Sequence, residues 1–225
     1  MTEHARWRLH SYRLLLNLVL ALAVGAHPLL AEAQHAAEPA AAAADAADPH
    51  AAHRHMMANA EVRRSVANYV VPHLTMVRDD GKSVSLDKEL NDGRPVVVSF
   101  IFTSCTTICP MTSQVLSMLE RKLGAVSNVV HLVSISIDPE QDTPARLRDY
   151  AVRFEAGANW QHYTGTLNAS IEAQQAFDVY RGDKTNHTPV TLVRGASGNT
   201  WVRFEGFASA DALLAELGRA QTAAR

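Results

Sequence analysis

The sequence predicts an α/β protein built on a central mixed sheet flanked by helices. Two observations carry that prediction. Residues 95–102 and 129–137 are continuous β-branched and aromatic runs, the mark of strands buried on both faces. Strand and helix patterns then alternate, and a strand–turn–strand around residues 195–199 precedes the last helix. The chain has 225 residues and is 47% hydrophobic, which suits one globular domain with tails. Its 21 basic and 23 acidic residues leave a formal charge of −2, and aromatics are only 6%. Neither a basic footprint nor a stacking platform is present, so nucleic acid is not expected as a partner. Two cysteines make neither a disulfide-dense scaffold nor a four-cysteine zinc site.

Residues 1–33 read as a signal peptide. Arg6, Arg8 and Arg13 are a basic start, residues 14–26 an apolar run, and Ala31-x-Ala33 supplies the small residues of a cleavage site. The alternative is a retained anchor, against which the run of about thirteen residues falls short of the roughly 20 that span a bilayer. Either way the rest of the chain is exported, into the periplasm, and membrane association follows only if the leader is kept. Residues 34–60 are alanine-rich, broken by Pro39 and Pro49, and lack bulky apolar side chains to pack. They read as a disordered tail. His50, His53, His55, Met56 and Met57 lie in it, and imidazole with thioether suits copper. A plain solvated tail and a weak copper-collecting segment are both open readings.

Residues 61–225 form the folded part. Residues 70–77 read as a strand, 79–82 as a turn and 83–86 as a short returning strand, a hairpin ahead of the first buried strand. After residues 95–102, a helix starts near Cys109-Pro110, where a proline in the first turn loses no hydrogen bond, and runs to about Leu123. Beyond the second buried strand, Thr143-Pro144 caps a helix to about Phe154. Residues 160–163 are a short strand, 169–177 a helix, 189–193 and 200–204 a hairpin, and 209–220 the closing helix. This order suggests a thioredoxin-like layer.

Cys105 and Cys109 follow a buried strand and open a helix, whose N-terminal partial charge stabilises a thiolate. Two thiols at this spacing can close a disulfide or chelate one soft ion. A purely structural bridge is a weak reading, since so short a loop constrains little chain entropy. Two thiolates suit Cu(I); a third, imidazole ligand also admits Cu(II). Among the histidines, His131 and His162 sit on strands, His73 on an early strand, and only His187 lies in a polar loop leading into a strand. In a thioredoxin-like sheet that junction approaches the cysteine helix.

These residues resemble the Sco/SenC family of copper-binding proteins for cytochrome c oxidase assembly. The matching features are the strand running into Cys105-x-x-x-Cys109-Pro110, then Ser136-Ile137-Asp138-Pro139-Glu140-Gln141-Asp142-Thr143-Pro144, then Tyr163-Thr164-Gly165, and His187-Thr188 entering a strand, across about residues 68–218. The resemblance implies a thioredoxin-like fold with an inserted N-terminal β-hairpin. It implies copper, as Cu(I) or Cu(II), held by Cys105, Cys109 and His187. It also places Asp138 near the cysteine loop, in a supporting role. By their own position Glu140 and Asp142 read as turn and capping residues, and Met111, in the first helical turn, as packing, with an extra soft ligand as the alternative. Pro189 resembles the proline that faces the cysteines of thioredoxins, where a cis bond is the alternative to the ordinary trans one. The chain departs from the family at Thr106 and Thr107, where proline and an acidic residue are common. It departs again at Asn186, where many members carry aspartate before the histidine, and the loop before His187 is short. An amide raises the basicity of a metal-bound imidazole less than a carboxylate does. These positions bear on affinity and on the balance of Cu(I) to Cu(II).

The expected function is a copper metallochaperone serving the copper-accepting subunit of a respiratory oxidase, not an enzyme in the usual sense, since no substrate bond is broken. The alternative is a thiol–disulfide oxidoreductase in which Cys105 and Cys109 reduce the oxidase subunit or a periplasmic copper carrier, recharged by a thioredoxin-like reductant. A thiol peroxidase shares the fold type and nothing more.

Overall fold

The computed structural model describes residues 62–223, so the leader and the tail with His53, His55 and Met56 lie outside the described residues. Along the chain run β1 (Arg63–Asn68), β2 (Thr75–Arg78), β3 (Ser83–Ser85), α1 (Leu86–Leu90), β4 (Val96–Ile101), α2 (Ile108–Leu123), β5 (His131–Ser136) and α3 (Pro144–Arg153). Then come β6 (Trp160–Gly165), α4 (Leu167–Ala176), β7 (Val190–Arg194), β8 (Thr200–Glu205) and α5 (Ala210–Ala223). The described strands form one mixed sheet in the order β1-β8-β7-β4-β5-β6-β2-β3. β4, β5 and β6 are parallel neighbours, and every other pairing is antiparallel.

β4 and β5 are buried along their whole length, as their unbroken β-branched runs require. Their alternate residues feed two cores. On one face Val97 and Ile101 pack with Leu116 and Leu119 of α2 and Leu213 of α5. On the other, Val98 and Phe100 pack with Ala173 of α4, Phe177 and Trp201. Helix starts follow the capping chemistry read from the sequence. Thr143 Oγ1 accepts from Arg146 N–H with Pro144 in the first turn; Thr166, a cap the sequence reading did not name, accepts from Ala169 N–H, so that α4 starts at Leu167, two residues before the start expected.

Three early elements differ from expectation. Residues 70–74 are not strand: Pro72 has no N–H for a ladder, and Val70 is 70% exposed, so β2 begins only at Thr75. Residues 86–90 turn into α1, with Leu86 and Leu90 buried, instead of continuing β3. β1 was not foreseen at all. It is an edge strand, Val66 is 59% exposed, and it is held by its ladder to β8 and by the pairs Arg63–Glu205 and Arg64–Glu216. The Thr188–Pro189 bond is trans. No helix among the described residues is long and apolar enough to cross a membrane.

Candidate metal centre

Register builds the site. β7 runs antiparallel to β4 with Ser99 opposite Thr191, so the chain entering β7 lies beside the chain leaving β4. β5 runs parallel to β4 with Ile101 opposite Ser136, so the turn after β5 flanks the same end. Three loops therefore converge at the carboxyl end of the parallel strands, where open α/β sheets hold ligands. They are residues 102–107, 137–143 and 178–189.

Cys105 sits in the first loop and Cys109 in the first turn of α2; both are free thiols. The Cys109 N–H points at Cys105 Sγ, 3.4 Å away, and Thr107 Oγ1 lies 3.9 Å from the same sulfur. Burial works against ionising Cys105, but the backbone N–H groups of Cys109 and Thr107 outweigh it and bring this thiol below its ordinary value. Cys109 is 1% exposed, and burial pushes its thiol far up. The pair is thus unequal: Cys105 gives up its proton more easily, and the deeper Cys109 is held protonated by burial.

His187 occupies the loop-to-strand junction. Its Nε2 lies 3.1 Å from the Phe100 carbonyl oxygen. A carbonyl only accepts, so Nε2 carries the proton and the neutral ring keeps its lone pair on Nδ1. Burial, aided by the charge of Arg181 and opposed by the Phe100 bond, lowers the imidazole below its ordinary value. Cys105 and His187 line one open cavity of about 340 Å³, together with Phe102, Thr106, Thr107, Lys184 and Thr185. Cys109 lies beneath Cys105 and does not line that cavity. Among the described residues, no three His, Cys, Asp or Glu side chains stand gathered as a ready-made ion cage.

The supporting residues come from farther along the chain. Asp138 is buried, its N–H is held by Ser136 Oγ at 3.0 Å, and its Oδ2 takes the Lys184 ammonium at 2.6 Å. Asn186 is exposed in the short 3₁₀ turn Lys184–Asn186, where its N–H bonds the Asp183 carbonyl. Asp142 is more than the turn residue expected. It is 0% exposed and takes Thr103 Oγ1 and Ser136 Oγ at 2.6 Å each, with Thr103 N–H at 3.2 Å. It therefore ties the cysteine loop to the end of β5. Lys184 escaped sequence reading because a lysine in a polar loop looks like any solvated charge.

The whole described domain matches the family model SCO1/SenC, over residues 63–221. The chain belongs to the SCO1/SenC family. A SCO1 protein homolog of Bacillus subtilis is 39% identical over 106 residues, 47% of this chain and 54% of its own length, so the chain spans about half of that curated relative. The solved structure of BsSco, described as a member of the Sco family of cytochrome c oxidase assembly proteins with a disulfide switch, is 31% identical. The match covers 70% of this chain and 96% of that one at a TM-score of 0.60. Arabidopsis thaliana ScoI with copper bound is 27% identical, covering 66% of this chain and 96% of that one at a TM-score of 0.55. The thioredoxin-like mixed sheet with flanking helices is thus common to this SCO1/SenC chain and those structures.

Proposed function

We propose that this chain is an exported copper carrier. Cys105, Cys109 and His187 hold one ion, which passes by ligand exchange to the copper centre of cytochrome c oxidase. The carrying observation is the shared cavity of Cys105 and His187, with the imidazole Nε2 engaged by Phe100 so that Nδ1 is the nitrogen left to ligate. A second ring nitrogen fixed by a carbonyl is the usual way a protein orients a metal-binding histidine. Disulfide exchange needs no imidazole. Copper on the Arabidopsis relative and the oxidase-assembly role of the BsSco family support the cargo and the recipient. Export rests on the leader at residues 1–33. Copper is cargo here: each thiol that ligates it gives up its proton, and the ion leaves as the recipient's ligands replace these.

The test is His187→Ala. Cu(II) affinity is expected to fall about a hundredfold or more, while Cu(I) on two thiolates survives within about tenfold, because the harder ion needs the nitrogen. Competition titrations and the spin-resonance spectrum of the Cu(II) form read this. An unchanged Cu(II) affinity and spectrum sinks the three-ligand site.

The unequal thiols favour a second reading, a thiol–disulfide oxidoreductase. The Cys105 thiolate attacks a partner disulfide and expels one partner sulfur as thiolate. Cys109 then loses its proton, attacks the mixed disulfide and releases the second, leaving Cys105–Cys109 oxidised and the partner reduced by two electrons. On this reading His187→Ala leaves the exchange rate within about twofold, whereas Cys109→Ser traps the mixed disulfide. Rapid turnover of a partner disulfide by the His187→Ala protein, with no copper phenotype, selects this reading.

A further inference from the structure

We propose that the Lys184–Asp138 ion pair is a latch that holds the His187 loop against the cysteine loop, making Lys184 a positioning residue for capture of Cu(II) by His187. The inference rests on the copper reading above and assigns the regulation of ligand placement at that site.

The loop that carries His187 has few anchors. Between residues 181 and 188, the described side-chain hydrogen bonds that reach other elements are two: Lys184 to Asp138, and His187 to the Phe100 carbonyl. The remaining ones are local. Asp183 caps its own turn through Thr185 N–H and Oγ1 at 2.8 Å each, and Arg181 bonds the Tyr180 and Asp178 carbonyls.

Cavities lie on both sides of this loop. Lys184 and His187 line the large one with Cys105, and both also line a small one of about 70 Å³ behind them, against Ile137, Ile171 and Tyr180. Packing alone leaves the loop room on either side. Directional contacts are needed to hold the imidazole on the cysteine side: the Phe100 carbonyl orients the ring, and the ion pair fixes the loop that carries it.

Its far end is firm. The Asp138 side chain is 7% exposed, and its backbone is fixed by Ser136 Oγ and by the Gln141 and Asp142 N–H groups on its carbonyl. The same turn reaches the cysteine loop through Asp142 and Thr103. On the near end, the Lys184 ammonium lies 5.8 Å from the centre of the Phe102 ring, which opens the cysteine loop. The three loops are therefore linked in a closed circuit from Phe100 through His187, Lys184, Asp138 and Asp142 to Thr103. A ligand held in place before the ion arrives loses less freedom on coordination, and the saved entropy appears as affinity.

Lys184→Met is expected to lower Cu(II) affinity about five- to tenfold, through faster release, as fits a half-shielded ion pair and lost ordering. It should also broaden the Cu(II) spin-resonance spectrum as His187 samples more positions. Cu(I) affinity, carried by the thiolates, should stay within about twofold. Asp138→Asn should reproduce both changes, Lys184→Arg should restore the wild-type values, and the double variant should be no worse than either single one. On a His187→Ala background, Lys184→Met should change nothing further. Unchanged Cu(II) binding by Lys184→Met, in a protein whose His187→Ala variant does lose Cu(II), overturns the latch and leaves the copper reading standing. An equal loss of Cu(I) and Cu(II) also overturns it, since the pair would then support the whole site and not His187. Unchanged Cu(II) binding by His187→Ala overturns the copper ligand set beneath both.

Discussion

Oxidising Cys105 and Cys109 to a disulfide is expected to abolish tight copper binding, lowering affinity by about a thousandfold or more while the fold persists. The two cysteines share one turn, the Cys109 N–H reaches Cys105 Sγ at 3.4 Å, and both thiols are free. A bridged sulfur is a poor ligand compared with a thiolate, so in the proposed three-ligand site oxidation would remove two donors and leave one imidazole. The size follows from the scale of metal–thiolate sites, where ligation is worth on the order of 10 kcal/mol and most of it would be forfeited. Reduced protein should take up one copper per chain, oxidised protein none tightly, and reductant should restore uptake. The tail histidines His50, His53 and His55 should be replaced by alanine for this measurement, so that weak collection there does not mask the loss. Equal copper affinity in the two redox states would mean that the cysteines are not the ligands. Cys105, which lines the open cavity and ionises more easily than Cys109, should be the sulfur an oxidant or partner meets first.

How much of this was legible in the sequence depends on how far apart the interacting residues lie. β4 and β5 were readable because burial on both faces demands an unbroken apolar run. α3 was readable because Thr143 and Pro144 state its start in two adjacent residues. Cys105 and Cys109 share one turn, so spacing alone marked them. β1 gave no such signal, because its hold on β8 is a backbone ladder that any sequence can make and its side chains face largely outward. α1 is five residues long, too short for a helical period to be seen. In the site, His187 was singled out by position in a polar loop, whereas the contacts that place it were invisible. Lys184 meets Asp138 across 46 residues and Asp142 meets Thr103 across 39, and pairings at that range leave no local pattern. The serines of β5 carry the same lesson. Ser134 and Ser136 look like interruptions of a hydrophobic strand, yet Ser134 takes the Trp160 indole N–H at 2.9 Å and Ser136 supports Asp142. Polar residues inside a buried strand are bonded, and their partners here come from β6 and from the turn after β5.

Asp142→Ala should destabilise the domain by about 2–4 kcal/mol and weaken copper binding beyond what that destabilisation explains. The carboxylate is fully buried and satisfies the Thr103 N–H, the Thr103 hydroxyl and the Ser136 hydroxyl. Alanine removes the acceptor from all three donors. Each orphaned buried group costs about 1–3 kcal/mol. Relief of the desolvation that a buried carboxylate suffers offsets part of that sum, which sets the lower figure. In a domain of this size about 2–4 °C of melting temperature accompanies each kcal/mol, so a fall of roughly 5–15 °C is expected. Asp142→Asn keeps the volume and one acceptor oxygen and should fall between the variant and the parent. The functional part of the expectation comes from position. Thr103 is two residues before Cys105, and Asp142 is its tie to β5, so losing the carboxylate frees the loop that presents the first thiol. Leu213→Ala is the control: Leu213 is fully buried on α5 in the α2-side core, and its truncation costs a comparable 2–5 kcal/mol while leaving the Asp142 hydrogen bonds in place. Melting temperature and Cu(I) affinity should be measured on both variants, at a temperature where each is fully folded. If the two proteins, equally destabilised, bind Cu(I) equally well, Asp142 is a structural carboxylate and nothing more. A loss of affinity confined to Asp142→Ala, about fivefold or larger, identifies it as the residue that holds the cysteine loop in its copper-ready form.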